Sequence, residues 1–351
     1  MGGLVSESVG RGSGSSRVLV TGGAGFVGRR LALLLHRQGY RVTALDSLGD
    51  ANAVFGREEL KASGIAVVAG SVGDQALMRR LLEEHRLVAH LAAPTVGVEQ
   101  NLRTPALQAR ALCETTALAG MLTADHTVLF SSTSDVYGMH SAHYGDTPMT
   151  EDDLSVYESP SVSRWNYSKV KALSENVFAC SAARSVSVRI FNTYGPGFDY
   201  PQARRVIPQF TAAVFAGQPM RISGTGGQHR AYCYISDLVD GMARTLGYAD
   251  SLPAGGNQAV NIGNPEQYVS VADLARLIAE LAVRGGWVSE PPRIQQDTYR
   301  YSEQFDDTWN RRPDITRART LLGYQPTVSL RDGLTRVLEF HAERAAALSN
   351  R

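Results

Sequence analysis

Residues 17–28 read Arg-Val-Leu-Val-Thr-Gly-Gly-Ala-Gly-Phe-Val-Gly, a short apolar run that leads directly into a glycine-rich turn. Short apolar runs that end in glycine are typical of buried parallel strands. The residues from Phe26 to Gln38 then carry apolar side chains at helical spacing, and Gly39 follows as a stop signal. A strand, a glycine turn and a helix in this order predict a site where a helix N-terminus meets the phosphates of a dinucleotide.

The spacing of the glycines is Gly22-x-x-Gly25-x-x-Gly28. The first would let the chain turn sharply, the second would admit a pyrophosphate, and the third would let the helix pack closely on the strand. A glycine motif alone is a weak signal, but Asp46 follows it about 18 residues past Gly28. A carboxylate at the end of the second strand accepts hydrogen bonds from ribose hydroxyls and repels a 2′-phosphate, which favours NAD over NADP.

Other cofactor contacts are expected in the same turn and after the third and fourth strands. They are Phe26, Val27, Val72, Asp74 and Ala92. Asp74 has two equally supported interpretations, because it could touch the adenine or cap the helix that begins at Gln75.

Strands and helices alternate through the first half of the chain. We predict strands at 17–21, 41–45, 65–69, 87–91, 127–131 and 186–191, with helices at 26–38, 75–85, 104–123 and 166–184. This pattern indicates an α/β fold, a Rossmann-type doubly wound parallel sheet. Past Asn192 the alternation breaks down, so we expect residues 17–191 to bind NAD. Residues 192–345 should form mainly a smaller mixed α/β substrate-binding portion, with some segments returning to the first domain, and residues 1–16 should form a flexible tail.

The bulk composition is that of an ordinary globular enzyme. The chain has 351 residues, 43% of them hydrophobic, and a net charge of +1, which gives no reason to expect nucleic acid or a membrane surface as partner. No apolar run approaches the ~20 residues of a membrane span. The three cysteines are far apart and without metal-binding spacing, so we expect a soluble cytoplasmic protein without a metal site.

Tyr167 and Lys171 form a Tyr-x-x-x-Lys pair one helical turn apart, so both side chains should share a helix face. A lysine ammonium beside a phenol lowers the pKa of the phenol and makes it a usable base. The pair is common by chance, but here it follows a strand that ends in hydroxyl residues and in Asp135. The sequence therefore predicts an oxidation site where the reactive ring of the cofactor should lie.

Taken together, these motifs resemble those of the extended short-chain dehydrogenase/reductases, the NAD-dependent nucleotide-sugar epimerase/dehydratase family. The resemblance covers nearly everything from Arg17 to about Leu338. Its motifs are Gly22-x-x-Gly25-x-x-Gly28, His90-Leu91-Ala92-Ala93, Thr133-Ser134-Asp135-Val136-Tyr137-Gly138, Tyr167-x-x-x-Lys171, Arg189-x-Phe191-Asn192-x-Tyr194-Gly195-Pro196, Gln228-x-Arg230-x-x-x-Tyr234-Ile235-x-Asp237 and Val260-Asn261-Ile262-Gly263.

Within the family, the residues after the fifth strand separate the reactions. Dehydratases carry Thr-Asp-Glu, and Ser134 replaces that Asp here, which argues against dehydration. Thr133-Ser134-Asp135 resembles the Thr-Ser-Glu of UDP-glucuronate decarboxylases with a shorter acid. Residues 164–168 and 136–139 resemble the decarboxylase of the bacterial aminoarabinose lipid pathway, and residues 310–315 resemble the Arg-Lys-Pro-Asp-Ile stretch of xylose-forming decarboxylases.

This resemblance implies an NAD-dependent decarboxylation of UDP-glucuronic acid through a 4-keto intermediate, giving UDP-xylose, UDP-4-keto-pentose or both. The implied catalytic residues are Thr133, Ser134, Asp135, Tyr167, Lys171 and Arg311. Asn192, Arg205, Arg230 and Arg311 would hold the UDP-sugar, and Tyr167 and Lys171 would also contact NAD. A homodimer through the helices at 104–123 and 166–184 is implied as well.

Two alternatives remain open. A nucleotide-sugar 4-epimerase needs the same tyrosine, lysine and threonine but no acid at Asp135, and a non-catalytic NAD-binding sensor needs no reaction at all. Three departures from the family pattern bear on the substrate: the short Asp135, Glu114 where relatives often have asparagine, and Glu99 near an anionic sugar.

Overall fold

The structure, a computed structural model, describes residues 16–94, 104–197, 205–297 and 309–349. Glu99 and residues 1–15 of the predicted tail lie outside the described residues. Seven parallel strands form the main sheet. In sheet order they are β11 (Asn257–Ile262), β6 (Arg184–Ile190), β5 (Thr127–Thr133), β4 (Leu87–His90), β1 (Arg17–Thr21), β2 (Arg41–Asp46) and β3 (Ala66–Ala69).

Both faces of this sheet are covered by helices. On one face lie α1 (Phe26–Arg37), α2 (Ala51–Ala62) and α8 (Ile235–Ser251), and on the other lie α3 (Gln75–Glu84), α4 (Ala106–Ala119) and α6 (Asn166–Ala179). In β1 the side chains of Val18 and Val20 join one core while Leu19 joins the other. Burial on both faces explains why this strand is continuously apolar. The predicted Rossmann-type fold is confirmed.

The helices differ from the prediction at three places. The predicted helix at 104–123 spans only Ala106–Ala119. The predicted helix at 166–184 ends at Ala179, because residues 180–183 turn the chain and β6 begins at Arg184. Helix α2 was not predicted, since its residues carry Gly56 and only a weak apolar periodicity. An alanine at Gly56 would place its Cβ 2.0 Å from the Ala24 carbonyl oxygen, so this glycine lets α2 pack against the glycine turn.

The second half of the chain builds smaller layers beside the sheet. Helices α7 (Val206–Phe215), α9 (Val271–Arg284) and α11 (Leu330–Ser349) pack together, and α5 (His140–Tyr144) and α10 (Thr316–Leu322) are short. Short strands pair as β8 (Met220–Ser223) with β13 (Ile294–Asp297), and as β7 (Thr193–Tyr194) with β10 (Cys233–Tyr234). Strand β9 (His229–Ala231) lies between β12 (Tyr268–Ser270) and β14 (Asn310–Arg311).

The sheet order places the ends of three strands side by side. Thr21 at the end of β1 is in register with His90 of β4, which is in register with Phe130 of β5. The order reverses between β1 and β4, and ligands of such sheets bind at the carboxyl ends of the strands at that point. Within the described ranges, no helix is long and apolar enough to cross a membrane.

Candidate active site

The glycine turn between β1 and α1 is closely packed. Gly22 has a φ of +66°, and a Cβ there would lie 2.9 Å from the backbone nitrogen of Ala92 after β4. A Cβ on Gly28 would lie 2.0 Å from the Gly22 carbonyl oxygen, so α1 can start this close to the turn only with glycine. Gly23, which the motif did not single out, has the same constraint, since its Cβ would lie 2.7 Å from the Val20 carbonyl oxygen. A Cβ on Gly25 would meet only the Gly22 carbonyl oxygen, at 3.2 Å, among the described residues. That open side fits the approach of a pyrophosphate.

Asp46 at the end of β2 holds the turn in place. One carboxylate oxygen accepts from the backbone nitrogen of Ala24 at 3.0 Å and the other from that of Leu48 at 2.9 Å. Leu48 has a φ of 55°, so the carboxylate stabilises an unusual backbone conformation. Each oxygen can accept a further hydrogen bond. Asp46 therefore fits the ribose of NAD while it shapes the phosphate turn.

The predicted contacts after β3 and β4 take three forms. Asp74 is exposed and caps α3, accepting from the backbone nitrogen of Leu77 at 3.0 Å, which is one of its two predicted roles. Val72 is buried in the core, and the Ala92 backbone nitrogen donates to the Thr21 hydroxyl at 3.2 Å. Beside this loop lies Glu114 of α4, whose Oε1 would be 2.7 Å from a Cβ on Gly73.

The structure brings Thr133, Tyr167 and Lys171 to the carboxyl end of β5. Thr133 hydrogen-bonds to Tyr167, and burial, followed by the charge of Asp135, raises the pKa of Tyr167 to about 12. The Nζ of Lys171 donates to the Ser131 carbonyl oxygen at 2.6 Å, and burial lowers the pKa of this lysine to about 8.

The lowering of the phenol pKa by Lys171 stays a prediction, because burial is the largest effect on Tyr167 in this structure. The pKa of Tyr167 is raised, and the charges that counteract the rise belong to Arg205 and Arg311. The Lys171 ammonium donates to the Ser131 carbonyl oxygen. The shared helix face thus places the two side chains near the same strand end, where Tyr167 binds Thr133 and Lys171 binds the backbone of Ser131.

Asp135 forms an ion pair with Arg311, which lies 176 residues further along the chain. Burial alone would raise the pKa of Asp135, but the charges of Arg311, Arg164 and Arg205 outweigh it and lower that pKa. The backbone nitrogen of Asp135 donates to the Thr133 hydroxyl at 3.2 Å, so the acid and the threonine share one turn. Ser134, between them, is buried.

The remaining predicted sugar-nucleotide residues are placed by the second half of the chain. Arg230 on β9 is the register partner of Arg311 on β14, so their side chains share one face of that small sheet. Arg205 is exposed and directly precedes α7. Asn192 is partly buried, and its carbonyl oxygen accepts from the Cys233 backbone nitrogen at 2.8 Å.

A polar network behind the site was missed by the sequence reasoning. The Ser132 hydroxyl donates to the carboxylate of Glu175, which also accepts from Arg189, with Nη2 at 2.8 Å. Arg189 Nη1 donates to the Tyr137 hydroxyl oxygen at 3.1 Å, and that hydroxyl donates to Asn261 at 2.6 Å. Glu175 follows Lys171 by one helical turn, and this spacing is the signal that could have identified it.

The part of the chain that the structure describes holds no cluster of three or more His, Cys, Asp or Glu side chains able to bind a metal ion. The chemistry of the site rests on hydroxyl, carboxylate, ammonium and guanidinium groups around a dinucleotide turn.

Comparisons with known proteins agree with this arrangement. Residues 18–263 match the model of the NAD dependent epimerase/dehydratase family. A UDP-N-acetyl-alpha-D-glucosaminuronate decarboxylase of Bacillus cytotoxicus is 32% identical over 337 residues, covering 93% of this chain and 98% of that protein. UDP-glucuronic acid decarboxylase 1 of Xenopus tropicalis is 31% identical over 331 residues, covering 92% of this chain and 72% of that protein. A crystal structure of UDP-glucose 4-epimerase from Thermotoga maritima with UDP-glucose superposes with a TM-score of 0.77 at 27% identity, covering 94% and 99%.

The resemblance drawn from the sequence motifs is thus confirmed, and so is the expectation of NAD as cofactor. The matched range runs from β1 through the end of β11, so it includes the glycine turn, Tyr167 and Lys171. The chain belongs to the NAD dependent epimerase/dehydratase family.

Proposed function

We propose that the chain is an NAD-dependent decarboxylase of a UDP-linked sugar acid, with UDP-glucuronate as its first candidate substrate. The observation that carries this proposal is the charge around Tyr167. The charges of three arginines, Arg164, Arg205 and Arg311, act on Asp135, so guanidinium groups gather at this acid. A sugar carboxylate can accept hydrogen bonds from guanidinium groups as a charged partner, whereas a neutral hexose offers them no charge.

Each residue of the site has a role in this proposal. Tyr167 takes the proton of the sugar 4-hydroxyl in its phenolate form, assisted by its hydrogen bond with Thr133. The reaction therefore depends on the deprotonated fraction that a pKa of about 12 leaves near neutrality. NAD, when bound, supplies the reversible oxidation of the sugar carbon. A C4 ketone makes the sugar a β-keto acid, so the bond to the carboxylate can break. Carbon dioxide then leaves, the electron pair moves onto the ketone oxygen, and C5 takes up a proton.

Asp135 and Arg311 would act at the carboxylate end of the sugar. Arg311 is buried and offers a guanidinium that can orient a carboxylate. Asp135 places a like charge beside that carboxylate, which disfavours its ground state, or manages the proton for C5. Ser134 lies in the same turn as Asp135. Asn192, Arg205 and Arg230 are proposed to hold the nucleotide and its phosphates.

We propose the division of labour expected from the sequence, with residues 17–191 mainly holding NAD and residues 192–345 mainly holding the UDP-sugar. Within the described residues, β11 is a part of the second range that pairs with β6 of the large sheet. A cytoplasmic location is supported by the cysteines Cys113, Cys180 and Cys233, which are all free.

A homodimer through α4 and α6 is also proposed. Leu173 on α6 is 49% exposed, as an interface residue would be in an isolated chain. Light scattering after size exclusion tests this proposal, because Leu173→Glu should convert a dimer into monomers. A parent protein that elutes as a monomer contradicts it.

Incubation with UDP-glucuronate and NAD tests the function. Carbon dioxide release, with UDP-xylose or a UDP-4-keto-pentose identified by NMR, is the expected result. The 4-epimerase alternative, supported by the structural similarity to the Thermotoga enzyme, predicts UDP-galacturonate without gas. UDP-N-acetylglucosaminuronate should be assayed in parallel because the Bacillus relative is named for it.

Tyr167→Phe should lower turnover about 10²- to 10⁴-fold. Parent-like activity in this variant would contradict the mechanism, and no turnover of any UDP-sugar by the parent would favour the NAD-binding sensor.

A further inference from the structure

The polar network behind the active site ends on the strand that carries the catalytic groups. Ser132 donates to Glu175, and its two neighbours in β5 are Ser131 and Thr133. The carbonyl oxygen of Ser131 accepts from Lys171 at 2.6 Å, and Thr133 hydrogen-bonds to Tyr167. Any displacement of Ser132 would therefore move partners of both catalytic side chains.

Glu175 is itself held firmly. The guanidinium of Arg189 binds its carboxylate through Nε at 3.1 Å and Nη2 at 2.8 Å, and both side chains are largely buried. The same guanidinium donates to the Tyr137 hydroxyl oxygen at 3.1 Å and to the Glu151 carbonyl oxygen at 3.0 Å. A charged group fixed this well can fix the hydroxyl that it binds.

Glu175 also affects the charge of Lys171. Lys171 is buried, with its Nζ 4.7 Å from the centre of the Phe130 ring, and burial disfavours its ammonium. Glu175 is the charge that raises the pKa of Lys171 against this effect. His90 on β4 is neutral near pH 7, because burial and the charge of Lys171 lower its pKa to about 3.

Other titratable groups lie on the elements around Lys171. They are Tyr167 and Lys169 on α6, Asp135 and Tyr137 after β5, Arg184 and Arg189 on β6, Arg110, Cys113 and Glu114 on α4, and Arg164 before α6. Tyr167 is protonated near neutrality, since its pKa is raised to about 12. Asp135 is in an ion pair with Arg311, and Glu114 with Arg110. Glu175 also binds Arg189, but it is one helical turn from Lys171 on the same helix.

We propose that Glu175 is the positioning residue of this active site, and that its carboxylate holds the carboxyl end of β5 through Ser132 and keeps Lys171 in its ammonium form. This role goes beyond the proposed reaction, because it concerns the oxidation site that any sugar substrate would meet.

The protein offers a direct measurement of the charge effect. It contains three lysines, Lys61, Lys169 and Lys171, so the ε-carbon signals of a ¹³C-lysine-labelled sample can be assigned with Lys61→Arg and Lys169→Arg. Lys171 of the parent should titrate at about pH 8. In Glu175→Gln its midpoint should fall by a unit or more, to about pH 7 or below.

Glu151→Gln is the matched control. Glu151 belongs to the same network, where it accepts from the Asn261 backbone nitrogen at 2.7 Å, but no contact described here joins it to Ser132 or Lys171. Its substitution should leave the Lys171 midpoint at the parental value. Equal midpoints in Glu175→Gln and the parent, or equal shifts in the two glutamine variants, would overturn the charge role.

Ser132→Ala tests the positional role separately, because it keeps the charge of Glu175. The Lys171 midpoint should stay at the parental value, while kcat on whichever UDP-sugar is turned over falls about 10-fold with little change in KM. Parental kcat would overturn this role.

If Glu175→Gln does not fold, Glu175→Asp retains the charge with a shorter reach and should behave like Ser132→Ala. A parental kcat in Glu175→Asp would also overturn the positional role. The titration of Lys171 uses no sugar, so its result can be interpreted even if the proposed decarboxylation is not observed.

Discussion

Lys171 shows how burial of a single ionisable side chain can weaken the fold that carries it. Burial lowers its pKa from 10.5 to about 8, so folding disfavours the ammonium form that the proposed mechanism uses. By linkage, the unfolded chain binds this proton more tightly between about pH 8 and pH 10.5. The destabilisation is therefore present below pH 8 and is relieved as the pH rises through that window.

Lys171→Met tests this sign. Relative to the variant, the parent should gain about 2 kcal/mol in its free energy of unfolding between pH 7.5 and pH 9.5, as a shift of this size requires. Urea unfolding at the two pH values gives the difference, and the comparison with the variant cancels the titration of other groups. No gain, or a loss, of parental stability relative to the variant between these pH values would show that the pKa of Lys171 is not lowered in the folded protein.

In the proposed function, the choice between decarboxylation and epimerisation depends on Asp135. Its charge raises the pKa of Tyr167, and it neutralises Arg311. Asp135→Asn should reduce carbon dioxide release about 100-fold or more while NADH binding stays at the parental value. The acidic limb of any remaining oxidation activity should move to lower pH, since the phenol loses a neighbouring negative charge.

The control for this change is Asp152→Asn. Asp152 also pairs with an arginine, Arg317 at 2.7 Å, but its side chain is 82% exposed. Exposed pairs contribute little, so decarboxylation in this variant should equal that of the parent. Full activity of Asp135→Asn would exclude Asp135 from the mechanism.

At the scale of elements, the glycine turn is the feature that sequence alone described best, because its determinants are local. Gly22 and Gly28 lie within one strand–turn–helix unit, and their constraints follow from backbone spacing. The Tyr167 and Lys171 pair is also local, and its placement at the end of β5 was predicted correctly. The orientation of Lys171 was not, because it depends on the carbonyl oxygen of Ser131, 40 residues away.

Contacts between distant elements were accessible only through family resemblance or not at all. Asp135 and Arg311 are 176 residues apart, and no spacing rule joins them. The hydrogen bond from Ser132 to Glu175 links β5 to α6. In the sequence, Glu175 has no feature that distinguishes it from other carboxylates on helices. Local rules therefore predict the elements and the residues within each, whereas pairs between elements require the tertiary packing.

Gly28→Ala tests the turn as an element. The added Cβ would lie 2.0 Å from the Gly22 carbonyl oxygen, so α1 must shift away from the turn. NADH affinity, measured by fluorescence, should fall at least 10-fold, because the helix N-terminus no longer meets the pyrophosphate.

Gly247→Ala is the matched control. Gly247 lies in α8, and among the described residues no atom outside its own helix backbone comes within 4 Å of its Cβ position. Alanine there should stabilise the protein by about 0.5–1 kcal/mol. Parental NADH affinity in Gly28→Ala would contradict the packing argument.

At the scale of the whole molecule, Arg29 joins the glycine turn to the proposed substrate-binding half of the chain. It follows Gly28 in α1 and is fully buried. Its guanidinium donates to Asn52 of α2 at 2.7 Å and to the Gly197 carbonyl oxygen at 2.9 Å, and its Nε lies 3.2 Å from Glu59. One side chain thus connects the glycine turn, the helix after β2 and the segment that follows β7.

Replacing Arg29 should affect both stability and substrate binding. Arg29→Met leaves the Gly197 carbonyl oxygen without this donor and Glu59 with Arg30 at 2.8 Å. We expect a loss of about 2–4 kcal/mol in the free energy of unfolding, since a buried charged partner is removed. KM for the UDP-sugar should rise more than the dissociation constant of NADH, because Gly197 leads toward Arg205 whereas Asp46 still holds the turn.

Arg30→Met is the control. It removes only a partly exposed ion pair with the same Glu59 and should lower the free energy of unfolding by less than about 1 kcal/mol. If the two variants lose equal stability, or if NADH affinity falls more than KM rises, then Arg29 serves α1 alone and does not couple the two sides of the site.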